Sequence, residues 1–211
     1  MNPIEKLAEK FKEFPGIGER QAKRFVYFLL HKNPTYVKEL GDAILSIKKT
    51  IHQCPSCFLF FPASAVASDG QAINMCDVCG DTKSDKTSLL IVEKDADYES
   101  IKKSKVYFGM YFILGGLVPI VTKENINFVR TKELVKTVEE RIKKNNLKEI
   151  IIALALSPQG EHTDMYIREL LSKIKGIENI KISSLGRGLS TGSELEYTDS
   201  ETIKNALLNR N

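Results

Sequence analysis

The chain has 211 residues, 27% of them charged, with four cysteines and no tryptophan, a size that suits one medium domain or two to three small ones. No stretch approaches the ~18 consecutive apolar residues of a membrane span, and the opening MNPIEKLAEKF has no apolar signal core, so it reads as mature, cytoplasmic sequence. The net charge of +4 sits at one end: residues 1–50 hold ten Lys/Arg against six Asp/Glu, and the remainder holds 21 of each, which suits either a segment facing a polyanion or a lysine-rich solvated helix surface.

Ile4, Leu7, Ala8 and Phe11 share one helical face over residues 3–12. The pattern stops at Phe14-Pro15, turns through Gly16-Ile17-Gly18, and resumes over 18–30 with Ala22, Phe25, Val26, Leu29 and Leu30. A third helical pattern, Val37, Leu40, Ile44, Ile47 and Ile51, follows Asn33-Pro34, so residues 1–52 are predicted to form a small helical unit. Pro15 bars a smooth continuation of the first helix. Gly16 and Gly18 permit positive φ and leave no side chain in the way, so the turn presents backbone N–H groups at the start of the second helix. Arg20, Lys23 and Arg24 stand within a turn of it, able to reach neighbouring phosphates without reading bases. The alternative is a tight turn that only packs two helices. The apolar faces themselves are expected in a core or in subunit contacts.

Residues 53–84 carry all four cysteines as two equal spacings, Cys54-x-x-Cys57 and Cys76-x-x-Cys79. Without a signal peptide this pattern favours a metal over disulfides, and two C-x-x-C knuckles fit tetrahedral zinc. Four sulfur ligands leave no position open for water, so the expected Zn2+, one per chain, is structural. His52 is expected nearby but outside the ligand set. Phe58, Phe60 and Phe61, in the long loop between the knuckles, are expected to pack over the site.

From residue 85 the pattern changes to α/β. SLLIVEK (88–94) and EIIIALAL (149–156) are short continuous apolar runs, as in strands buried on both faces, and VYFGMYFIL (106–114) and IKISSL (180–185) are further strand candidates. Helical patterns run through Leu134, Val135, Val138 and Ile142, and through Ile167, Leu170, Leu171 and Ile174. Alternation of this kind predicts a parallel sheet with helices on both sides over residues 85–185. Glu93 closes the first strand, where such sheets place their sites. Asp95 and Asp97, just after it, are expected to cap the next helix. Residues 186–211 form a short C-terminal segment, with a helix near 199–208 opened by a Thr198-x-x-Glu201 capping box. Gly186, Gly188 and Gly192 lack the Gly-Lys-Ser/Thr of a P-loop.

The Pro15–Arg24 stretch resembles a helix–hairpin–helix motif, and the strand ending in Glu93 resembles the start of a Toprim domain. Their order, with the cysteine knuckles between them, resembles the RecR family of recombination mediators. That resemblance implies a hairpin whose following basic pair, Arg20 and Arg24 here, contacts DNA. This chain has Glu19 where the family often has proline. It further implies a Toprim domain lacking the catalytic Asp-x-Asp, with Glu93 and Glu161 as partner-binding acids, Gln159 standing where the family commonly has glutamate. The segment LGRGLSTGSELEYTD (185–199) resembles the family's C-terminal signature, and its Arg187 loop would face DNA or a neighbouring subunit. The implied protein is no enzyme. It binds DNA as a homo-oligomer, dimer or ring-shaped tetramer, and pairs with a RecO-like and also a RecF-like protein to help RecA load onto single-stranded DNA. The rival reading is a Mg2+-dependent Toprim nuclease or primase-like enzyme.

Overall fold

The structure is a computed structural model that describes residues 2–62, 75–121, 128–145, 147–186, 188, 189, 192 and 194–208. It divides into two compact units, the first of residues up to His52 together with Pro62, the second of Gln53–Phe61 and the described residues from 75 onward.

The first unit is three helices: α1 (Pro3–Lys12), α2 (Glu19–Leu30) and α3 (Pro34–Thr50). Asn-Pro opens both α1 and α3. The Asn2 carboxamide oxygen accepts from the Ile4 amide at 3.0 Å and that of Asn33 from the Tyr36 amide at 2.7 Å. Each proline fills a first-turn position where its missing N–H costs nothing. α1 and α2 meet through Ala8, Ala22 and Val26, with Ile4, Phe11 and Ile17 against them. The two alanines let the helices approach closely, and Phe11 packs edge-on to Phe25 at 5.5 Å. α3 buries no residue: Val37, Leu40, Ile44 and Ile47 are all exposed. Ile51, predicted as the last position of that face, instead opens the short strand β1 (Ile51–Gln53), which pairs with β2 (Phe60–Pro62).

The second unit is built on a four-stranded sheet of β3 (Asp85–Val92), β4 (Gly109–Ile113), β5 (Glu149–Ala153) and β6 (Lys181–Ser184), in the order β4-β3-β5-β6 and all parallel. The period of two sends Leu89 and Ile91 to one face and Leu90 and Val92 to the other. On the first face they join Met110, Phe112, Ile150 and Ile152. That face is covered by Leu134 and Val138 of α6 (Thr131–Asn145) and by Ile167 and Leu171 of α7 (Pro158–Ser172). The opposite face departs from the expected plain helical layer. There Leu90, Val92, Tyr111 and Ile113 meet Tyr98 of α5 (Asp95–Ser104), and beside it Cys54, Cys57, Leu59, Phe61 and Cys76. The cysteine segment thus takes the place of part of a helix. Each fully buried aliphatic contributes about 1.5–3 kcal/mol, whereas an exposed ion pair gives about 0–1 kcal/mol, so these two faces hold the unit together.

Two local predictions are corrected. The strand candidate at 106–114 begins only at Gly109, because Val106 and Phe108 point into solvent. α8 (Ser200–Leu208) is opened by Asp199, whose carboxylate accepts from the Thr202 amide at 2.9 Å and hydroxyl at 2.7 Å. Thr198 instead donates its hydroxyl to the Glu194 carbonyl. An aspartate offers the helix start a charge that threonine lacks, so the cap falls one residue later than predicted.

Candidate functional site

The hairpin between α1 and α2 is pinned from inside. Ile17 turns into the α1–α2 core while Gly16 and Gly18 stay exposed on either side of it. Gly16 takes a left-handed φ of +76°. Gly18 does not: it is the N-cap of α2, with extended backbone at φ −85° and ψ 170°. What its missing side chain supplies is room, since a Cβ at Gly16 or Gly18 would meet nothing within 4 Å. α2 has no side-chain cap, and its first internal bond runs from the Ala22 amide to the Gly18 carbonyl at 3.0 Å. Among the described residues the amides of Gly18, Glu19, Arg20 and Gln21 find no acceptor within the protein, leaving an open positive helix end.

Arg20, Lys23 and Arg24 are exposed around that end. Lys23 donates to Glu19 at 2.7 Å, one turn back. This hydrogen bond, and then the lysine's charge, hold the Glu19 carboxyl below the usual carboxylate range. The acid at the helix start is therefore largely matched by Lys23. Arg24 bonds only the neutral Gln21 side chain, at 3.3 Å, so both arginines keep their charge unmatched by a carboxylate within 4 Å among the described residues.

The four cysteines converge. Their sulfurs all lie within 4.8 Å of one another, and Cys54, Cys57 and Cys76 are buried. The Cys57 and Cys76 sulfurs are 3.5 Å apart. A tetrahedron with Zn–S bonds of about 2.3 Å needs sulfurs roughly 3.8 Å apart, so the cluster fits a metal ion of that size. Hydrogen bonds shared with Cys54 and Cys76, together with burial, hold the Cys57 and Cys79 thiols above their ordinary range, a cost that a bound cation removes. His52 is exposed and lies outside the cluster.

The backbone explains why the sulfurs meet. The Cys54 amide donates to the Leu59 carbonyl and the Phe58 amide to the Cys54 carbonyl, both at 2.9 Å, which closes the first knuckle. Phe58 takes a left-handed φ of +65° to do so. The second knuckle is the short helix α4 (Asp77–Gly80), with Cys76 as its N-cap. The Cys57 carbonyl accepts from the Ile113 amide at 2.8 Å, so the first knuckle binds the edge strand β4. Asp95 fastens the same segment, accepting from the Phe60 amide at 3.1 Å. It is thus not a helix cap as predicted. Asp97 is, accepting from the Lys94 amide at 3.1 Å. Of the three phenylalanines, Phe61 is buried and Phe58 packs edge-on to Phe112 at 5.3 Å, whereas Phe60 is exposed. Most of the loop between the knuckles (63–74), like Arg187, lies outside the described residues.

Glu93 follows central β3, and Glu161 lies in the first turn of α7, after β5. β3 and β5 are neighbours with Val92 opposite Ala153. The chain runs from β3 outward to β4 and then returns across to β5, so the two glutamates flank the point where strand order reverses. Gly160, beside Glu161, has a role the sequence did not reveal. A Cβ there would stand 1.9 Å from the Ala155 carbonyl oxygen. The Gln159 amide points at the Leu117 carbonyl, 3.5 Å away, a place where glutamate would set charge against a carbonyl dipole. Among the described residues the cysteines are the one group of three or more potential ligands close enough to hold a metal.

Three family models match the chain: RecR helix-hairpin-helix over residues 4–48, Toprim domain over 88–185, and RecR C-terminal over 188–211. Over 208 residues the chain is 31% identical to the recombination protein RecR of Lactobacillus acidophilus, covering 99% of this chain and 96% of that one. The chain belongs to the RecR family. Other RecR relatives include the recombination protein of Lactobacillus helveticus, 32% identical with 99% and 96% of the two chains covered, and that of Chloroherpeton thalassium, 30% identical with 98% and 95% covered. The RecR hairpin model contains Gly16 to Arg24, and the Toprim model contains Glu93 and Glu161. The cysteine cluster lies between these two matched segments. No helix among the described residues is long and apolar enough to cross a membrane.

Proposed function

We propose that this RecR-family protein is a non-catalytic recombination mediator, acting in the cytoplasm, that grips the DNA backbone through its N-terminal hairpin. The observation that carries the reading is the open helix end at residues 18–21, flanked by the exposed guanidinium groups of Arg20 and Arg24. Gly16 and Gly18 leave space for a phosphodiester chain to come against those amides. Lys23, matched by Glu19, adds less. The uncovered apolar face of α3 supports assembly of copies of the chain into a dimer or ring-shaped tetramer that encloses DNA.

The cysteine cluster would hold one Zn2+ through Cys54, Cys57, Cys76 and Cys79. Its four thiolates and lack of an open position make the ion structural. Glu93 and Glu161, at the reversal of strand order, would receive the basic surface of a RecO-like protein, and likewise a RecF-like one, helping RecA load onto single-stranded DNA. The non-catalytic assignment is supported by the use of Asp95 and Asp97 as acceptors of backbone amides.

The test is a binding titration against salt. Neutralising Arg20 and Arg24 together (Arg20→Ala, Arg24→Ala) should weaken binding alike on all sequences. It should also flatten the log–log salt slope by about 0.9 per lost phosphate contact on duplex DNA. An unchanged affinity and slope would remove the hairpin from the proposal. Incubation of DNA with protein and Mg2+ or Mn2+ should give no cleavage, and turnover abolished by Glu93→Gln would establish the enzyme instead.

A further inference from the structure

A cavity of about 460 Å3 opens beside the first knuckle, between the cysteine segment and α6. Pro55, Ser56 and Cys79 line one side, and Glu140 and Arg141 of α6 the other. Arg141 is unusual. It is 5% exposed, and its guanidinium cannot lose its proton near neutral pH, so it is a charge buried in protein. A buried charge needs a compensating one, and among the described residues no carboxylate lies within 4.0 Å of it. Its hydrogen bond runs from Nη2 to the hydroxyl oxygen of Ser56 at 3.2 Å. Ser56 sits inside the first knuckle, between Cys54 and Cys57, and Cys79 of the second knuckle lines the same cavity as Arg141. Four thiolates around a divalent ion carry two net negative charges.

We infer that Arg141 is the counter-charge of the cysteine-bound metal: a positioning residue that offsets the negative charge of the tetrathiolate and ties α6 to the first knuckle through Ser56. The inference rests on the proposal that the cluster holds Zn2+. Burial pushes the guanidinium's pKa down, and the Cys79 and Cys57 sulfurs, the Tyr107 hydroxyl and the Cys54 sulfur oppose that push without cancelling it. Outer-shell partners of this kind typically alter metal affinity 10–100-fold.

The experiment is competition for zinc between the full-length holoprotein and a chromogenic chelator, with metal content measured first. Arg141→Met should raise the zinc dissociation constant about tenfold or more. Arg141→Gln serves as a second neutral variant, shorter but polar where Met is apolar, so that a folding defect in one does not decide the matter. Arg141→Lys, which keeps the charge, should restore affinity to within a few fold. Ser56→Ala, which removes the hydrogen bond alone, should have a small effect. If both neutral variants hold zinc as tightly as the wild type, or if Lys fails to rescue while Ser56→Ala matches the neutral variants, Arg141 only packs and bonds, and the counter-charge role is overturned. A wild type without bound metal overturns the zinc reading itself, and this role with it. Wild type with one ion per chain separates the two failures.

Discussion

Replacing Gly160 with alanine tests whether the turn that carries Glu161 is as tight as the structure shows. Helix propensity alone favours alanine by about 1 kcal/mol in a helix such as α7. Geometry opposes it. The new Cβ would lie 1.9 Å from the Ala155 carbonyl oxygen and 3.0 Å from its carbon, and neither atom belongs to a flexible side chain. The turn at residues 155–157 must shift. In shifting it loosens the bond from the Gly160 amide to the Ser157 hydroxyl at 3.1 Å and the one from the Ser157 amide to the Ala155 carbonyl at 2.9 Å. Loss of that cap costs about 1 kcal/mol and overpacking about 1–3 kcal/mol. After subtracting the propensity gain, the net destabilisation is about 1–3 kcal/mol. For a protein of this size that lowers Tm by about 2–12 °C. Thermal unfolding followed by circular dichroism measures it, with Gly41→Ala in α3 as the control. A Cβ at Gly41 meets nothing within 4 Å, so propensity should prevail there and stability should rise slightly. A Gly160→Ala protein melting at or above the wild-type temperature would refute the close approach of Ala155.

Other outcomes follow from the same structure. Because Lys23 is paired with Glu19, Lys23→Ala should weaken DNA binding less than Arg20→Ala, and Glu19→Gln should strengthen it by a few fold at low salt. Equal losses at Lys23 and Arg20 in filter binding would contradict the pairing. Cys54→Ala, or removal of metal by a strong chelator, should release about one ion per chain and lower Tm by several degrees or more. The sulfurs share a core with Leu90, Val92, Tyr111 and Ile113, so sheet and cysteine segment should unfold in one transition. Hydrogen bonds from Lys181 and Ser183 depress the Glu149 pKa from 4.5. Its stabilisation is therefore present above pH 4.5 and lost as pH falls through the lowered folded value. Glu149→Gln should flatten the acid limb of the stability curve by a few tenths of a kcal/mol, read by urea unfolding from pH 6 down to 3.

Short-range order was legible in the chain. The apolar periods mark all three N-terminal helices and the four parallel strands, because each repeats over its own segment and needs no distant partner to be seen. The cysteine pairs and the Gly16-Ile17-Gly18 turn were equally plain, since C-x-x-C loops and glycine corners are local geometry. At the C-terminal helix a local contest decided the cap, and Asp199 took it from Thr198. Tertiary context decided at Asp95, which left its own helix start to hold the Phe60 amide.

Nothing local distinguishes Arg141 from the lysines around it in RIKK (141–144), or Gly160 from any glycine near a helix start. Burial under the first knuckle sets the one apart, and a carbonyl five residues back sets the other apart. The chain by itself determined which backbone forms where and which side chains have the chemistry for phosphate and metal. Only the folded structure decided which charges lack a partner, because desolvation and charge compensation depend on neighbours far away in sequence.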